Sequence, residues 1–185
     1  MPSFNDLVYQ RRSVRSYLQK PVEKEKIIQC IEAARVAPSA ENVEPWRFII
    51  LNDEEVKKNF CNQAFSGIYS FSKWAAKAPI IIVVLAKLDI LANRIGKQIQ
   101  GTNYYLIDIG IAGEHLVLQA KELGLGTCWI GWFNAKKAKK FLKIPNNYKV
   151  VCLISMGYPG NEPLKDKKRR TLEEIMWFNG IKKTD

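Results

Sequence analysis

The spacing of apolar residues along the chain predicts three amphipathic helices. Apolar side chains recur at helical intervals in residues 4–12, 22–37 and 103–123, and polar side chains occupy the opposite face of each stretch. The last stretch contains Gly110 and Gly113, each of which should weaken a helix by up to about 1 kcal/mol relative to alanine. We therefore expect another helix, such as one from a partner subunit, to approach the chain closely at these glycines.

Short apolar runs between the helices predict strands. Residues 47–51 and 148–158 show this pattern, and residues 80–86 are apolar at every position, as in a strand that is buried on both faces. Residues 124–133, which are rich in glycine and tryptophan, predict a turn followed by another strand. Further helices are predicted at residues 53–63, 65–78 and 134–142. Three or four strands thus alternate with helices.

Two stretches fit neither pattern. Residues 87–101 are interpreted as a mobile insertion, and residues 158–185 as an extended C-terminal arm because prolines and glycines cluster near its start. The whole chain has 185 residues, of which 47% are hydrophobic and 25% charged. This composition predicts one globular domain spanning residues 1–185.

The composition argues against several classes of protein. No basic and apolar leader precedes the first helix, and no apolar run reaches the roughly 18 residues of a membrane span, so we expect a cytoplasmic protein without a membrane partner. The four cysteines are scattered and His115 is the single histidine, which argues against a metal site or a disulfide framework. We expect His115 to be a packed or surface side chain and not a catalytic base, because no Ser/His/Asp set accompanies it.

Two basic clusters suggest the chemistry of a ligand. Arg11–Tyr17 has the sequence RRSVRSY, and Lys167–Arg170 has the sequence KKRR. Guanidinium forks and hydroxyls suit the oxygens of a phosphate group, which favours a phosphate-bearing ligand. The alternative is a solvated, basic helix end, since most charge runs are only surface. A nucleic-acid-binding module would also fit the net charge of +11, but no RNA-binding signature, zinc finger or helix-turn-helix supports it, so we expect no nucleic-acid partner.

Six short motifs follow one another along the chain. They are R-R-S-x-R after the first helix, P-S-x-x-N-x-x-P-W after the second, D-x-G-x-A at Asp108–Ala112, then G-L-G-T-C-W-I-G, M-G-Y-P and K-x-R-x-x-L-E-E. Each motif alone is weak evidence, but together, in this order, they make the chain resemble the nitroreductase family of flavoproteins along nearly its whole length. The glycines do not form a dinucleotide-binding fingerprint, because the third glycine is missing and a strand follows.

The resemblance implies a fold, a cofactor and an assembly. The fold would be α+β and three-layered, with a central, mostly antiparallel sheet flanked by helices and a C-terminal arm that extends onto a partner subunit. The assembly would be a homodimer with FMN in two shared sites. NAD(P)H would be the co-substrate, and a small-molecule electron acceptor would be the second substrate.

The resemblance also implies FMN-binding positions in four segments. They are Arg11, Arg12, Ser13 and Arg15 at the phosphate and ribityl chain; Pro38, Ser39, Ala40 and Asn42 in a loop against the flavin of the opposite subunit; Gly126 and Thr127, where a main-chain N–H points at the flavin N5 atom; and Lys167 and Arg169 as a second phosphate clamp. From the residues alone, the loop is an Asx-type turn capped by Asn42. The role that the resemblance implies for Gly126 suits a glycine, because glycine lets the backbone approach a planar ring.

The implied activity is that of an oxidoreductase. Hydride would pass from NAD(P)H through FMN to a nitroaromatic, quinone or similar conjugated acceptor in a ping-pong cycle, and no catalytic side chain is required because the cofactor carries the chemistry. Arg15 is our candidate for the residue that contacts the pyrimidine edge of the flavin. Larger family members contact this edge through a polar and a basic residue that precede the strand corresponding to residues 80–86. Here that region has the sequence FSKW, which includes Lys73 and departs from the family pattern. The alternative is a flavin-binding protein of the same fold without efficient reductase turnover, acting as a sensor, a store or a flavin-modifying protein.

Overall fold

The elements of the fold are described for residues 2–88, 101–161 and 167–181 of a computed structural model. Within these ranges there are five α-helices, four strands and two 3₁₀ segments. The helices are α1 (Phe4–Gln10), α2 (Lys24–Arg35), α3 (Glu54–Ala64), α4 (Tyr104–Glu122) and α5 (Ala135–Phe141). The strands are β1 (Trp46–Leu51), β2 (Ile80–Lys87), β3 (Gly126–Ile130) and β4 (Tyr148–Gly157), and the 3₁₀ segments are Ala40–Asn42 and Gly67–Lys77.

The four strands form one antiparallel sheet in the order β1-β2-β4-β3. β2 lies inside the sheet, where Val84 pairs with Phe48 of β1 and with Cys152 of β4. Every residue from Ile80 to Ala86 is buried, which confirms the predicted strand that is covered on both faces. β3 is an edge strand and pairs along one side with β4.

Two hydrophobic cores lie on the two faces of the sheet. Side chains alternate along β2, so its even-numbered residues 80–86 pack with α2 and α4. Its odd-numbered residues 81–85 pack with α3 and α5 on the other face. The sheet is therefore sandwiched between two helical layers, which confirms the predicted three-layer α+β architecture with a central antiparallel sheet.

Polar side chains at the helix starts explain where the helices begin. The hydroxyl of Ser3 accepts the N–H of Asp6, and the Asp6 carboxylate in turn accepts the N–H of Ser3. Asp53 and Asn134 accept backbone N–H groups in the first turns of α3 and α5. Each of these contacts pairs a backbone donor that has no partner within its own helix.

Residues 67–77 form 3₁₀ turns, so the α-helix predicted for residues 65–78 is wrong in type. The burial pattern gives the reason, because Ser72, Ala75 and Ala78 are buried while the intervening residues are more exposed. A buried residue at every third position matches three residues per turn and not 3.6.

The two glycines of α4 have different surroundings. A Cβ atom on Gly113 would lie 2.1 Å from Cη2 of Trp129, so the group that approaches closely is an indole from β3 and not another helix. A Cβ atom on Gly110 would meet nothing within 4 Å. The approach of a partner helix therefore stays a prediction for Gly110 and is wrong for Gly113.

Several remaining expectations concern the ends and insertions of the chain. The insertion predicted at residues 87–101 falls, apart from its two ends, outside the described residues. Residues 158–161 and 167–181 contain no α-helix or strand, and the extension of this segment as an arm stays a prediction. None of the helices in the described ranges is long and apolar enough to span a membrane. Among the described residues, no three side chains of the metal-binding types His, Cys, Asp and Glu lie close enough together to hold a metal ion. Nδ1 of His115 lies 3.2 Å from the carbonyl oxygen of Ala33.

Candidate functional site

The segment Arg11–Tyr17 runs from the end of α1 along the free edge of β3. Arg11 closes the helix by donating its N–H to the carbonyl of Leu7 at 2.8 Å. Ser13 then forms a parallel bridge with Thr127, and the N–H of Val14 donates to the Thr127 carbonyl at 2.9 Å. The edge of β3 therefore fixes the backbone from which the first basic cluster projects.

Val14 and Tyr17 anchor this segment in the core while the neighbouring residues stay more accessible. The Tyr17 hydroxyl donates to the Val14 carbonyl at 2.6 Å and lies 2.8 Å from the hydroxyl of Ser155. Burial raises the pKa of Tyr17, so the phenol stays protonated and serves as a neutral donor. Alternation along an extended segment turns Ser13 and Arg15 the other way, and both are exposed.

The space beside Gly126 is filled by Val14 of the same chain. A Cβ atom at position 126 would lie 2.7 Å from Cγ2 of Val14. The sequence suggested that this glycine makes room for a planar ring, whereas in the structure it makes room for the anchor of the basic segment. Thr127 beside it is buried, with its carbonyl occupied by Val14.

The C-terminal segment brings Lys167 to the end of α1. Its Nζ atom donates to the carbonyl of Val8 at 2.8 Å, across 159 residues of sequence, and to that of Tyr9 at 3.2 Å. Nη1 of Arg12 donates to the same Tyr9 carbonyl at 2.5 Å. Two cations from opposite ends of the chain thus share one acceptor, at the negative end of a helix.

Like charges gather around Lys167. Burial lowers the pKa of the Lys167 ammonium, and the positive charges of Arg11, Arg12 and Arg169 lower it further, while Glu114 acts in the opposite direction. Nε of Arg11 is 3.6 Å from the carboxylate of Glu114. One carboxylate offsets part of the charge of four cations, so the cluster is suited to a multivalent anion.

A small cleft opens beside this cluster. Its volume is about 60 Å³. The residues that line it include Arg11, Arg12, Lys121, Gly126 and Thr127.

The loop between α2 and β1 carries the predicted residues Pro38, Ser39, Ala40 and Asn42. Its backbone forms a 3₁₀ turn in which the N–H of Asn42 donates to the carbonyl of Ser39 at 3.1 Å. The Ser39 hydroxyl accepts the N–H of Glu44 at 3.0 Å. Ser39, and not Asn42, therefore supplies the side-chain acceptor of this turn, which corrects the Asx-type turn expected from the residues alone. The side chain of Asn42 is exposed.

Asp108 begins the D-x-G-x-A motif, but it was not among the site residues predicted from the sequence. Its Oδ1 atom accepts the N–H of Ala40 at 3.0 Å. A signal was available, because an aspartate on the apolar stripe of α4 is an unusual core residue. The partner could not be found in this way, since it is a backbone N–H group 68 residues away.

Arg15 lies beside an aromatic ring. Its guanidinium carbon is 5.6 Å from the centre of the Trp74 ring, within the range of a cation–π contact. Lys73 next to it is exposed. The segment FSKW therefore contacts the basic segment through its tryptophan.

The predicted site residues form two groups in one chain. Arg11, Arg12, Lys167 and Arg169 gather at the end of α1, with Ser13, Arg15, Gly126 and Thr127 along the adjacent edge of β3. The loop with Pro38–Asn42 is held by α4 at Asp108, whereas the basic group contacts the same helix at Glu114. These two α4 residues are six positions apart, hence about 9 Å along the axis and about 120° around it. The two groups therefore contact different sides of one helix.

Comparison with known proteins gives a consistent result. The family profile described as the nitroreductase family matches residues 8–158. A chain from Archaeoglobus fulgidus, provisionally named an NADH dehydrogenase/NAD(P)H nitroreductase, is 32% identical over 160 residues, which are 84% of this chain and 85% of that one.

Two solved structures share the fold and about a third of the sequence. A nitroreductase family protein from Clostridium difficile 630 superposes with a TM-score of 0.82 at 30% identity, covering 97% of this chain and 100% of that chain. A protein from Clostridium difficile R20291, described as an FMN-dependent nitroreductase, gives a TM-score of 0.77 at 30% identity, covering 96% and 100% of the two chains.

Proposed function

Because the chain belongs to the nitroreductase family, we propose that it is an FMN-dependent NAD(P)H oxidoreductase. The names of its relatives support this proposal, since one is called an NADH dehydrogenase/NAD(P)H nitroreductase and another an FMN-dependent nitroreductase. When bound, FMN would supply the redox chemistry, namely hydride transfer from NAD(P)H and reduction of a nitroaromatic, quinone or similar conjugated acceptor in a ping-pong cycle.

The observation that carries the proposal is the meeting of two distant basic segments at the end of α1. Lys167 and Arg12 donate to one carbonyl, and Arg11 and Arg169 lie close enough to lower the pKa of Lys167. Crowded cations repel one another, so this arrangement costs stability unless an anion joins it. A phosphate dianion would accept charge-assisted hydrogen bonds from these forks and remove the repulsion.

The neighbouring residues have roles that follow from their positions. Ser13 and Arg15 project from the same extended segment, so they would contact the ribityl chain and the ring beyond the phosphate. The Arg15 guanidinium is already oriented over Trp74, which would limit its motion and present a positive charge to the pyrimidine edge. A positive charge there favours a reduced, anionic ring. Gly126 and Thr127 line the cleft beside the basic cluster, where their backbone would lie between the phosphate and the ring.

The second group of predicted residues would serve the other site of a homodimer. The Pro38–Asn42 loop and the basic cluster lie on different sides of α4, as expected if each subunit contributes its loop to one FMN and its cations to the other. Apolar residues support the same assembly, because Leu106 and Ile107 of α4 and Trp177 and Phe178 of the arm are all more than 40% exposed. A partner that covers them would remove a patch unlike the surface of a monomer.

A spectrum and a rapid-mixing experiment test the proposal together. The protein, incubated with FMN and freed of unbound cofactor, should be yellow, with flavin absorbance in proportion to the subunit concentration. Anaerobic mixing with NADH or NADPH should then bleach the flavin bands promptly. A colourless protein would contradict FMN binding. A yellow protein that neither nucleotide bleaches would favour the flavin-binding alternative without reductase turnover.

A further inference from the structure

The turn between α2 and β1 holds three residues in the left-handed region. Glu41, Asn42 and Glu44 have φ angles of 51°, 54° and 45°, and none of them is glycine. This region is unfavourable for side chains with a Cβ atom, so each residue costs conformational free energy. Such a turn persists only where contacts with its surroundings compensate for the strain.

One of these contacts comes from a different element of the fold. The bond from Glu44 N–H to the Ser39 hydroxyl lies within the turn, and Arg47, which donates to the Glu44 carbonyl, lies three residues further along the chain in β1. By contrast, Oδ1 of Asp108 reaches the turn from α4 and accepts the first N–H of the 3₁₀ segment, at Ala40. A carboxyl at this position acts as a cap supplied from outside the turn.

Burial of the Asp108 carboxyl lowers the stability of the folded chain. The residue is only 3% exposed, and its Oδ2 atom has no hydrogen-bond partner among the described residues. Burial raises the pKa of this carboxyl, and the bond from Ala40 opposes that shift in part. An apolar residue would pack here without this cost, so the acceptor provided to Ala40 is the feature that distinguishes aspartate from leucine at this position.

We infer that Asp108 is a positioning residue that holds the Ser39–Asn42 turn in its strained conformation and thereby sets how Asn42 is presented to the flavin. The inference rests on the proposed function in its second half, because it takes the turn to face a bound flavin. Its first half, the hold of Asp108 on Ala40, concerns this chain alone.

Two substitutions at position 108 separate the acceptor from the charge. Asp108→Asn keeps an oxygen at the place of Oδ1 and removes the ionisable group, whereas Asp108→Leu keeps the number and branching of the side-chain heavy atoms and removes the acceptor. Leu116→Ala serves as the control, because Leu116 is fully buried on the same helix and its truncation weakens the core without touching the turn.

The first measurement is amide hydrogen exchange of Ala40 in the flavin-free protein. In Asp108→Leu the Ala40 amide should exchange about tenfold faster relative to the amides of β2, as expected for the loss of one hydrogen bond. In Asp108→Asn the exchange rate of the Ala40 amide should stay within about threefold of the wild-type rate. Leu116→Ala should accelerate exchange only at amides that exchange through global unfolding. Unchanged protection of Ala40 in Asp108→Leu would overturn the inference.

The second measurement is the dissociation constant for FMN, determined from the quenching of its fluorescence. Asp108→Leu should bind at least about tenfold more weakly than Asp108→Asn, because a loosened turn must be ordered again on binding. If Asp108→Leu and Asp108→Asn bind FMN with equal affinity although the Ala40 amide exchanges faster in Asp108→Leu, Asp108 has no role in flavin binding. If the wild type itself does not bind FMN, the proposed function fails, and the exchange experiment still decides whether Asp108 holds the turn.

Discussion

Replacement of Gly126 by alanine should displace the segment that carries the first basic cluster. A Cβ atom at this position would lie 2.7, 2.8 and 2.9 Å from Cγ2, Cβ and Cγ1 of Val14. A rotation of the valine side chain cannot relieve the contact with its Cβ atom, which is fixed to the backbone. The backbone at Val14 must therefore move, although its N–H is bonded to Thr127 at 2.9 Å.

The cost of Gly126→Ala can be estimated from its parts. Overpacking of a buried site costs about 1–3 kcal/mol, and a weakened hydrogen bond at Val14 adds about 0.5–1.5 kcal/mol. The loss of backbone freedom in the unfolded chain returns about 0.4–1 kcal/mol. The expected net loss is therefore about 0.5–4 kcal/mol of unfolding free energy. FMN binding should weaken by about 10- to 100-fold, because one misplaced charge-assisted bond is worth about 1.5–3 kcal/mol.

The residue that follows β3 provides a control. A Cβ atom on Gly131, just beyond the end of β3, would meet nothing within 4 Å. Gly131→Ala should therefore change stability by less than about 1 kcal/mol and leave FMN binding unchanged. Urea unfolding gives the first quantity and fluorescence titration the second. If Gly126→Ala and Gly131→Ala give equal results in both assays, Val14 does not couple β3 to the first basic cluster.

Three further substitutions test other parts of the structure. Tyr17→Phe removes the bonds to Val14 and Ser155 and should lower the urea unfolding free energy by about 1–3 kcal/mol; no loss would contradict the anchor. Asp108→Asn should become more stable relative to the wild type as pH rises above about 4. The raised pKa means that folded wild type keeps the Asp108 proton to higher pH than the unfolded chain does, so the wild type loses stability as pH increases. A stability difference between the two proteins that does not change with pH would contradict this. Gly110→Ala should raise the dissociation constant of the dimer in sedimentation experiments, whereas on an uncovered face it would only stabilise the helix.

The layers of the fold could be predicted because they depend on patterns within short stretches of sequence. The apolar run at residues 80–86 is too short and too rich in β-branched residues for a good helix, which predicted a covered strand. Capping residues such as Ser3 and Asn134 mark helix starts through local hydrogen bonds. The 3₁₀ geometry of residues 67–77 could not be predicted, since it goes with burial of every third side chain in the folded chain.

The site was predictable in its residue types but not in its contacts. Arginines and a lysine at two places suggested a phosphate, yet the contacts that join them run from side chains to backbone carbonyls of Val8 and Tyr9, which no residue pattern encodes. The same holds for Asp108, whose partner is the Ala40 amide. Gly113 was recognised as a place of close approach, but the approaching group, Trp129, comes from an element that follows it in the chain.

In the proposed site, cations from both ends of the chain hold the phosphate of FMN. The most direct test compares the dissociation constants of FMN and riboflavin, which differ only in that phosphate, for the wild type and for an Arg11→Gln/Lys167→Gln variant. Two or more charge-assisted bonds predict that the wild type binds FMN at least about 100-fold more tightly than riboflavin, and that this ratio falls toward one in the variant. Equal affinities of the wild type for the two flavins, or a ratio that the double substitution leaves unchanged, would contradict the claim.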